Sequence, residues 1–406
     1  MEIIADLQLH SRFSRACSKN ITLENLEKYA RIKGLNILST ADFQHPIWNK
    51  EIKEKLEEDE NGILWSKNKF PFLWGTEISL MYSDNGRRAV HLLLYAPNGE
   101  VADQVIDALG KKGRLDYDGR PIFGIPCPDF VELMMEISED IEIVTAHSYT
   151  SWFGVFGSKS GFDSIEECFK DKSKHIHAIE SGMSADPEMI RLNSRLDKFN
   201  IVSFSDAHSY HPWRLGRECV IFDCKLTAKN ILNAIKTGDG LKETIETSPD
   251  YGKYHYDGHR NCGVSLSPEE SKKLNKICPK CKQPLTIGVL YRSLEMADRK
   301  IPKNVPKFKK LIPLHELIAA VYGTNQLSSK KVWSIYNLLI EKFENEFNVL
   351  LNVSLENLKK VVEDKIAEII LKNRENRLSI HPGFDGVYGK IILNSDEKKQ
   401  KSLGDF

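Results

Sequence analysis

The sequence contains no run of about 18 uncharged apolar residues, so no membrane-crossing helix is expected. The chain reads straight into the strand-like run Glu2–Leu9, so neither a signal peptide nor a transit segment is expected. Net charge is missing too: 57 Lys and Arg balance 57 Asp and Glu, and global charge therefore argues neither for nor against a nucleic-acid partner. Cysteine is sparse. Of the eight, Cys17, Cys127, Cys168, Cys219 and Cys224 are scattered, which speaks against a disulfide framework and for a reducing, cytoplasmic setting. No internal repeat or low-complexity tract is present.

What the chain does have is length and a core. At 406 residues it exceeds one ordinary domain, so two or three are expected, and 41% hydrophobic residues suffice to bury them. From residue 1 to about 240, strand-like and helix-like segments alternate. Strands are expected at Glu2–Leu9, Leu35–Ser39, Phe72–Met81, Ala89–Tyr95, Ile141–Ala146, His177–Ser181, Ile201–Ser205 and Cys219–Phe222. Helices are expected at Leu23–Lys33, Pro128–Ile137, Pro187–Leu196 and Thr227–Ile235. This α/β alternation indicates a mainly parallel sheet, and its length suits a barrel. Residues 241–300 break the pattern with the turn-like Pro249-Asp250-Tyr251-Gly252 and a compact cysteine-bearing segment. Lys300–Lys310, with Pro302 and Pro306, reads as a linker or extended strap. Residues 301–406 are mainly helical. Val332, Ile335, Leu339 and Phe343 share one helix face, as do Leu358, Val362, Ile366 and Ile369. Charge is uneven: residues 251–310 hold 14 Lys and Arg against 5 Asp and Glu, an excess suited to phosphates or simply to a solvated surface.

The informative pattern is the placement of acids and imidazoles at strand ends. His10 follows the first strand and Asp42 the second. Glu77 lies within Phe72–Met81, and His91 opens Ala89–Tyr95. His147 ends Ile141–Ala146, Glu180 lies near the end of His177–Ser181, and Asp206 and His208 follow Ile201–Ser205. Carboxyl ends of parallel strands converge on one face, where active sites form. A lone buried His or Asp is more often a structural hydrogen-bonding group. A whole series of strand ends carrying ligand-type residues is a different matter, and it points to two or three close divalent metals that activate water for phosphoryl displacement.

The motifs Ala5-Asp6-Leu7-Gln8-Leu9-His10-Ser11, Thr40-Ala41-Asp42, Gly75-Thr76-Glu77, Ala146-His147 and Ser205-Asp206-Ala207-His208-Ser209 resemble those of the PHP phosphoesterase superfamily. Ser11-Arg12-Phe13-Ser14-Arg15-Ala16, Ser181-Gly182-Met183-Ser184-Ala185-Asp186 and Arg214-Leu215-Gly216-Arg217-Glu218 are similar to its endonuclease Q branch. The resemblance implies a distorted (β/α)7 barrel holding two or three metals (Zn, Mn, Mg or Fe). It further implies hydrolysis of the phosphodiester on the 5′ side of a deaminated base (uracil, hypoxanthine, xanthine) or an abasic site in DNA repair. It assigns metal or near-metal roles to His10, Asp42, Glu77, His91, His147, Glu180, Asp206 and His208, with Asp206 the most essential carboxylate. One motif departs from the superfamily: Gln8 stands where the first His of a His-x-His pair is usual. A carbonyl oxygen is a poorer ligand than imidazole, so one metal is expected to be held differently. Arg12 and Arg15, just past His10, are candidates to hold phosphate oxygens, with a surface salt bridge the competing reading, and Lys19 is a third.

Behind the barrel, His259-x2-Cys262-x15-Cys278-x2-Cys281 has the spacing of a closed, structural zinc site, with His255 a competitor for His259. Such a zinc ribbon serves either as a DNA platform or as folding support alone. Next to His147, Trp152 and Phe153 lie between glycines and are candidates to stack on an extruded base; capping the core is the alternative. The Gly-rich stretch His381–Lys390 lacks the Gly-x4-Gly-Lys-Ser/Thr arrangement, so it is not expected to bind nucleotide and is read as a backbone-contacting or docking loop. A phosphatase of small phosphomonoesters and a catalytically weakened damaged-DNA-binding protein are the competing functions. The expected partner is lesion-bearing DNA. A sliding clamp and other repair proteins are further candidates, although Asn394–Phe406 shows no convincing clamp-binding tail.

Overall fold

The computed structural model describes residues 2–393, so the tail considered for clamp binding lies outside the described residues. Local signals set the elements where the sequence places them. Leu23–Lys33 is a helix: the Thr22 side chain accepts from the Asn25 N–H, and Gly34, at φ 97°, ends it in the left-handed conformation. Its buried face is Leu23, Leu26, Glu27 and Ala30, an i, i+3, i+4, i+7 stripe.

The fold is mixed α/β. Glu2–Asp6 pairs in parallel with Ile37–Ser39, which pairs in parallel with Pro71–Leu73. The expected single strand Phe72–Met81 is broken at Trp74, and the chain continues as Gly75–Ser83. That strand pairs antiparallel with Arg87–Tyr95, which pairs antiparallel with Glu142–Thr145. Ile176–Glu180 and Asn200–Val202 follow in parallel. Past the end of the first strand, Leu9 bridges Ala207 in parallel, and the His10 N–H donates to the Ala207 carbonyl at 3.0 Å. The carboxyl ends of the parallel strands therefore face one way. Arg87–Tyr95 runs opposite to its neighbours and pairs with Glu142–Thr145 only from Leu92 on, which is why His91, at its middle, lies beside the end of that strand.

Cys219–Asp223 lies antiparallel on the first strand, and Leu241–Glu246 extends the sheet. Phe308–Lys310 then adds in parallel to Leu241–Glu246, so the basic strap ends as a paired strand rather than a free linker. Two helical expectations change. Pro187–Leu196 resolves into the short helix Pro187–Ile190 and a 3-10 turn at Ser194–Leu196. The stripe from Leu358 to Ile369 crosses a break: Leu355–Lys359 and Asp364–Arg374 are separate helices, because Glu363 takes an extended conformation as the cap of the second. Leu358, Ile366 and Ile369 are buried nonetheless, since the two short helices share one apolar underside.

The C-terminal helices dock on an aromatic cluster around His315. Its ring lies 3.8 Å from Tyr336, 4.4 Å from Trp333 and 4.8 Å from Trp213, centroid to centroid. Both His315 nitrogens are buried without a hydrogen-bond partner. Burial, aided by the nearby Lys33 ammonium, lowers its pKa to about 2. The unfolded chain binds a proton here below about 6.5 and the folded chain does not, so stability is lost as pH falls through that value. The expected loss from this residue is about 2 kcal/mol at pH 5. Urea unfolding at pH 7 and pH 5 should record it, and His315→Phe should flatten that part of the profile.

Candidate active site

The strand ends converge on two groups of ligand-type side chains. In one, single ligand atoms of His10, Asp206 and His208 lie within 4.8 Å of each other; in the other, so do those of Glu77, His91 and His147. Glu77 stands between them. Its Oε2 lies 3.3 Å from His10 Nε2, and its Oε1 lies 2.5 Å from His91 Nδ1 and 3.8 Å from His147 Nε2. One carboxylate thus offers an oxygen to each group. Asp206 Oδ1 lies 3.1 Å from His10 Nε2 and 3.6 Å from His208 Nδ1.

Three of these positions hold a backbone that L-residues rarely adopt: Asp42 at φ 33°, His147 at φ 31° and Asp206 at φ 47°. Each turns the chain sharply at a strand end and aims its side chain across the sheet, a strain that persists at functional sites. Asp42 belongs to neither three-residue group. Its Oδ1 lies 3.2 Å from His10 Nδ1, while its Oδ2 accepts from the Ser11 N–H at 2.6 Å, the Ser11 hydroxyl at 2.6 Å and the Ser14 hydroxyl at 2.8 Å. A carboxylate so engaged orients His10 and leaves its Nε2 facing Glu77 and Asp206. Gly119 backs onto it: a Cβ there would collide with Asp42 Oδ2 and Ser14 Oγ. Glu180 also acts from behind, its Oε2 accepting from the His147 N–H at 2.6 Å.

The electrostatics suit a cation. Burial opposes ionisation of Glu77, but Arg120 and His91 outweigh it and hold the carboxyl well below its usual range. Burial likewise opposes ionisation of Asp206, and the neighbouring imidazoles of His208 and His10 overcome it. Burial keeps His91 down at about 3 and lowers His208; at His10 burial acts the same way, but Asp206, Asp42 and Glu77 outweigh it and raise the imidazole well above its usual range, so a cation bound there would displace a proton. Ionised carboxylates and neutral imidazoles are the ligand forms that metals take. Three buried atoms lack any partner here, Gln8 Oε1, His147 Nδ1 and Glu180 Oε1, and packed interiors seldom leave such atoms unused. The residues therefore fit divalent metals of the zinc, manganese or iron kind. Gln8 donates its amide N–H to Glu77 Oε2 at 2.7 Å, which leaves its carbonyl oxygen as the atom free to ligate.

The two groups open on a cavity of about 650 Å³. Several candidates from the sequence do not reach it. Arg12 is held by Glu51, 2.5 Å away, and lies over Phe13 and Trp48, so its charge is already neutralised. Arg15, 78% exposed, pairs with Asp118 at 3.2 Å, and Lys19 is exposed. None of the three lines the cavity wall. Phe153 does, but its ring stacks on His91 at 4.2 Å, so it braces a ligand instead of offering a free face. Trp152, 47% exposed at the rim, has the Lys159 ammonium 5.6 Å from its ring centroid and no ring stacked on it among the described residues.

Sequence reasoning missed Arg120, which lines the cavity and donates to Glu77 Oε1 at 2.9 Å. It comes from the turn Asp118–Pro121, where no periodicity marks it; only the neighbouring glycine hinted at a close approach. Lys253 was missed for the same reason, arriving on an irregular segment far from the strand series; Tyr388 comes from the Gly-rich stretch His381–Lys390 read above as a backbone-contacting or docking loop.

Ligand atoms of His259, Cys262, Cys278 and Cys281 also lie within 4.8 Å of one another. A hairpin, Asp257–His259 with Val264–Leu266, carries the first two, and the tight turn after Cys278 brings back the others. Burial works against a Cys278 thiolate, but the Cys281 and Lys280 amides outweigh it and bring the thiol down to about 6. His255 is not a competitor: its Nε2 lies 3.1 Å from Asp250 and its Nδ1 3.3 Å from the Ser184 carbonyl oxygen. Only Val264, Cys278 and Leu285 form the core of this segment, too little to hold it without a metal. Cys281→Ser is expected to remove one zinc per chain by elemental analysis and to open residues 255–290 to limited proteolysis. Zinc retained in full would sink that assignment.

A sequence-family profile described as the MJ0043 C-terminal domain matches residues 313–377. The uncharacterized protein MJ0043 of Methanocaldococcus jannaschii is 36% identical over 63% of this chain, which spans only 33% of that relative's length. The uncharacterized protein YqxK of Bacillus subtilis is 27% identical, with 96% of this chain and 99% of YqxK covered. Among solved structures, the lesion-specific endonuclease PfuEndoQ from Pyrococcus furiosus superposes with a TM-score of 0.85 at 30% identity, covering 98% of this chain and 96% of its own. Endonuclease Q in complex with a 27-mer duplex bearing an abasic lesion at the active site gives 0.88 at 30% identity, with 98% of both chains covered.

Proposed function

This chain belongs to the endonuclease Q family, and on that footing we propose that it is a metal-dependent DNA repair endonuclease that cuts the phosphodiester 5′ of a deaminated base or abasic site. The observation that carries the reading is Glu77, buried between two histidine groups whose His91, His147, Asp206 and His208 line a cavity large enough for an extruded nucleotide. We read the linked strands as a distorted (β/α)7 PHP barrel over residues 1–240, with a zinc-binding domain at 241–300 and a mainly helical region at 301–406.

His10, Asp206 and His208 would hold one metal and Glu77, His91 and His147 a second, with the Gln8 carbonyl beside them. Bound there, the metals supply an activated water and neutralise charge on the phosphoryl oxygens. Asp42 holds His10 in one orientation, and Glu180 fixes the backbone of His147. Arg120 turns a guanidinium toward the same space and holds a phosphate oxygen. Trp152 at the rim offers a ring on which a base or its neighbour stacks. Uracil and hypoxanthine carry a carbonyl where cytosine and adenine carry an amine, so a fixed N–H donor in the pocket selects for deamination. The cysteine cluster, with the basic stretch around it, serves as a DNA platform.

The test is a labelled oligonucleotide with one deoxyuridine, deoxyinosine or abasic site, incubated with each divalent metal. A single cut 5′ of the lesion, abolished by chelation, is the expected result. Binding without cutting under every metal would favour the damage-binding reading. Turnover of a chromogenic phosphomonoester with no cut would favour the phosphatase.

A further inference from the structure

The cavity carries a second feature, apart from the ligand groups. Arg217 is only 7% exposed, yet its hydrogen bonds go to neutral groups: the Ser205 carbonyl oxygen at 2.9 Å and the Tyr388 hydroxyl at 3.2 Å. Among the described residues no carboxylate forms an ion pair with it. Glu218 and Asp206 act on it only through space, and a guanidinium taken this far from water without a paired carboxylate is costly; such groups ordinarily meet an anion. Two further cations stand on the same phenol. Arg214 Cζ lies 5.0 Å and Lys253 Nζ 5.6 Å from the Tyr388 ring centroid. Arg214 is partly neutralised by Glu316 at 2.9 Å, so the surplus charge rests on Arg217 and Lys253. Both line the cavity that contains Asp206 and His208, and the carbonyl gripped by Arg217 belongs to the residue just before Asp206.

Tyr388 reaches this place on the Gly-rich loop that the metal chemistry leaves unused. The loop is pinned to the turn that faces it: the Gly383 N–H donates to the Asp250 carbonyl at 2.8 Å, the Gly386 N–H to that of Lys253 at 2.8 Å and the Gly389 N–H to that of Tyr251 at 3.0 Å. A Cβ at Gly383 or Gly389 would collide with the Gly252 or Asp250 carbonyl, so the glycines are what permit the approach. A rigid support of this kind is what a binding residue needs.

We propose that Arg217, Lys253 and Tyr388 form a phosphate subsite that grips the DNA phosphodiester next to the one being cut. It rests on the endonuclease reading above and deepens it. The guanidinium fork, the ammonium and the phenolic O–H together match the two free oxygens of a phosphodiester. A substrate with one phosphate cannot fill both positions, so the subsite selects a nucleic-acid strand over a small phosphomonoester.

The experiment measures equilibrium binding to the metal-loaded protein of an abasic duplex whose scissile bridging ester oxygen is replaced by methylene, with a single neutral methylphosphonate placed in turn at each of the two linkages on either side of it. Wild type is expected to lose about ten-fold in affinity at one flanking linkage, the scale of a charged hydrogen bond. In Lys253→Ala and in Tyr388→Phe, both at the cavity wall and away from the ligand groups, that same linkage should cost clearly less. Lys253→Ala should also reduce the salt slope of binding by about one phosphate contact. Arg217→Lys is the stronger but riskier variant, since it also holds Ser205. Tolerance of methylphosphonate at every flanking linkage, or an unchanged salt slope in Lys253→Ala, overturns the subsite alone if wild type still binds and cuts. Failure of wild type to bind any duplex overturns the subsite and the endonuclease reading together.

Discussion

Asp206→Asn is expected to lower single-turnover cutting at a lesion by about a thousand-fold or more, and to lower the metal content of the protein with it. The side chain sits where the last strand end turns at φ 47°, and its Oδ1 is the atom shared by His10 and His208. Removing the negative charge leaves two imidazoles without the hard oxygen that completes the group. Asparagine tolerates the left-handed backbone better than alanine, so the Asn variant isolates the chemistry, whereas Asp206→Ala adds a backbone cost of about 1 kcal/mol. Thermal unfolding should therefore show Asn nearer to wild type than Ala. Arg15→Ala is the matched control: an exposed residue paired with Asp118 is expected to leave cutting within about two-fold, because surface ion pairs contribute little. Cutting by Asp206→Asn within about ten-fold of wild type, at full metal content, would remove this carboxylate from the reaction.

Much of this site was readable because it hangs on a periodic frame. Strands of alternating apolar residues announce their own ends, so His10, Asp42, His147, Glu180 and Asp206 are found by looking at the residue that closes each run. The pairing then decides finer roles that spacing does not carry. Asp42 and Glu180 sit at strand ends like the others, but three hydroxyl or amide donors surround one and a backbone N–H meets the other, and that engagement turns them from the cavity toward their neighbours. Arg12 looked like a phosphate grip because it comes just after His10. Its partner Glu51 is 39 residues away in sequence, and no local pattern reveals that it will neutralise the charge. Arg120 and Lys253 escaped for the converse reason. Turns and glycine-rich loops have no period, and their positions come from backbone contacts between distant segments. The break between Leu355–Lys359 and Asp364–Arg374 belongs here too: a helical apolar stripe persists across it although the helix does not.

The largest effect on stability is expected at Lys33. Its ammonium is 1% exposed and lies 2.7 Å from Glu346 Oε1, which is itself fully buried; the Pro212 carbonyl oxygen accepts from it at 2.8 Å. Glu346 further accepts from the Leu314 N–H at 3.0 Å and the Tyr336 hydroxyl at 2.9 Å. This pair ties the helix Leu23–Lys33 to the C-terminal helices, whose contact is otherwise apolar and aromatic. Taking one charge away strands the other where water cannot reach it. Lys33→Met is therefore expected to cost about 3–5 kcal/mol in denaturant unfolding, and Glu346→Gln a comparable amount. The double variant should recover most of that loss, because a neutral, well-filled pair carries no desolvation penalty. Additive losses in the double variant would mean that packing, not charge, is what the two residues supply. Pro212 and Arg214 lie on the same turn, and Glu316 holds Arg214 from the helix Leu314–Val321, so loosening this pair also loosens the cationic wall around Tyr388. Lys33→Met should accordingly weaken DNA affinity while the metal content of the strand-end groups stays at the wild-type level.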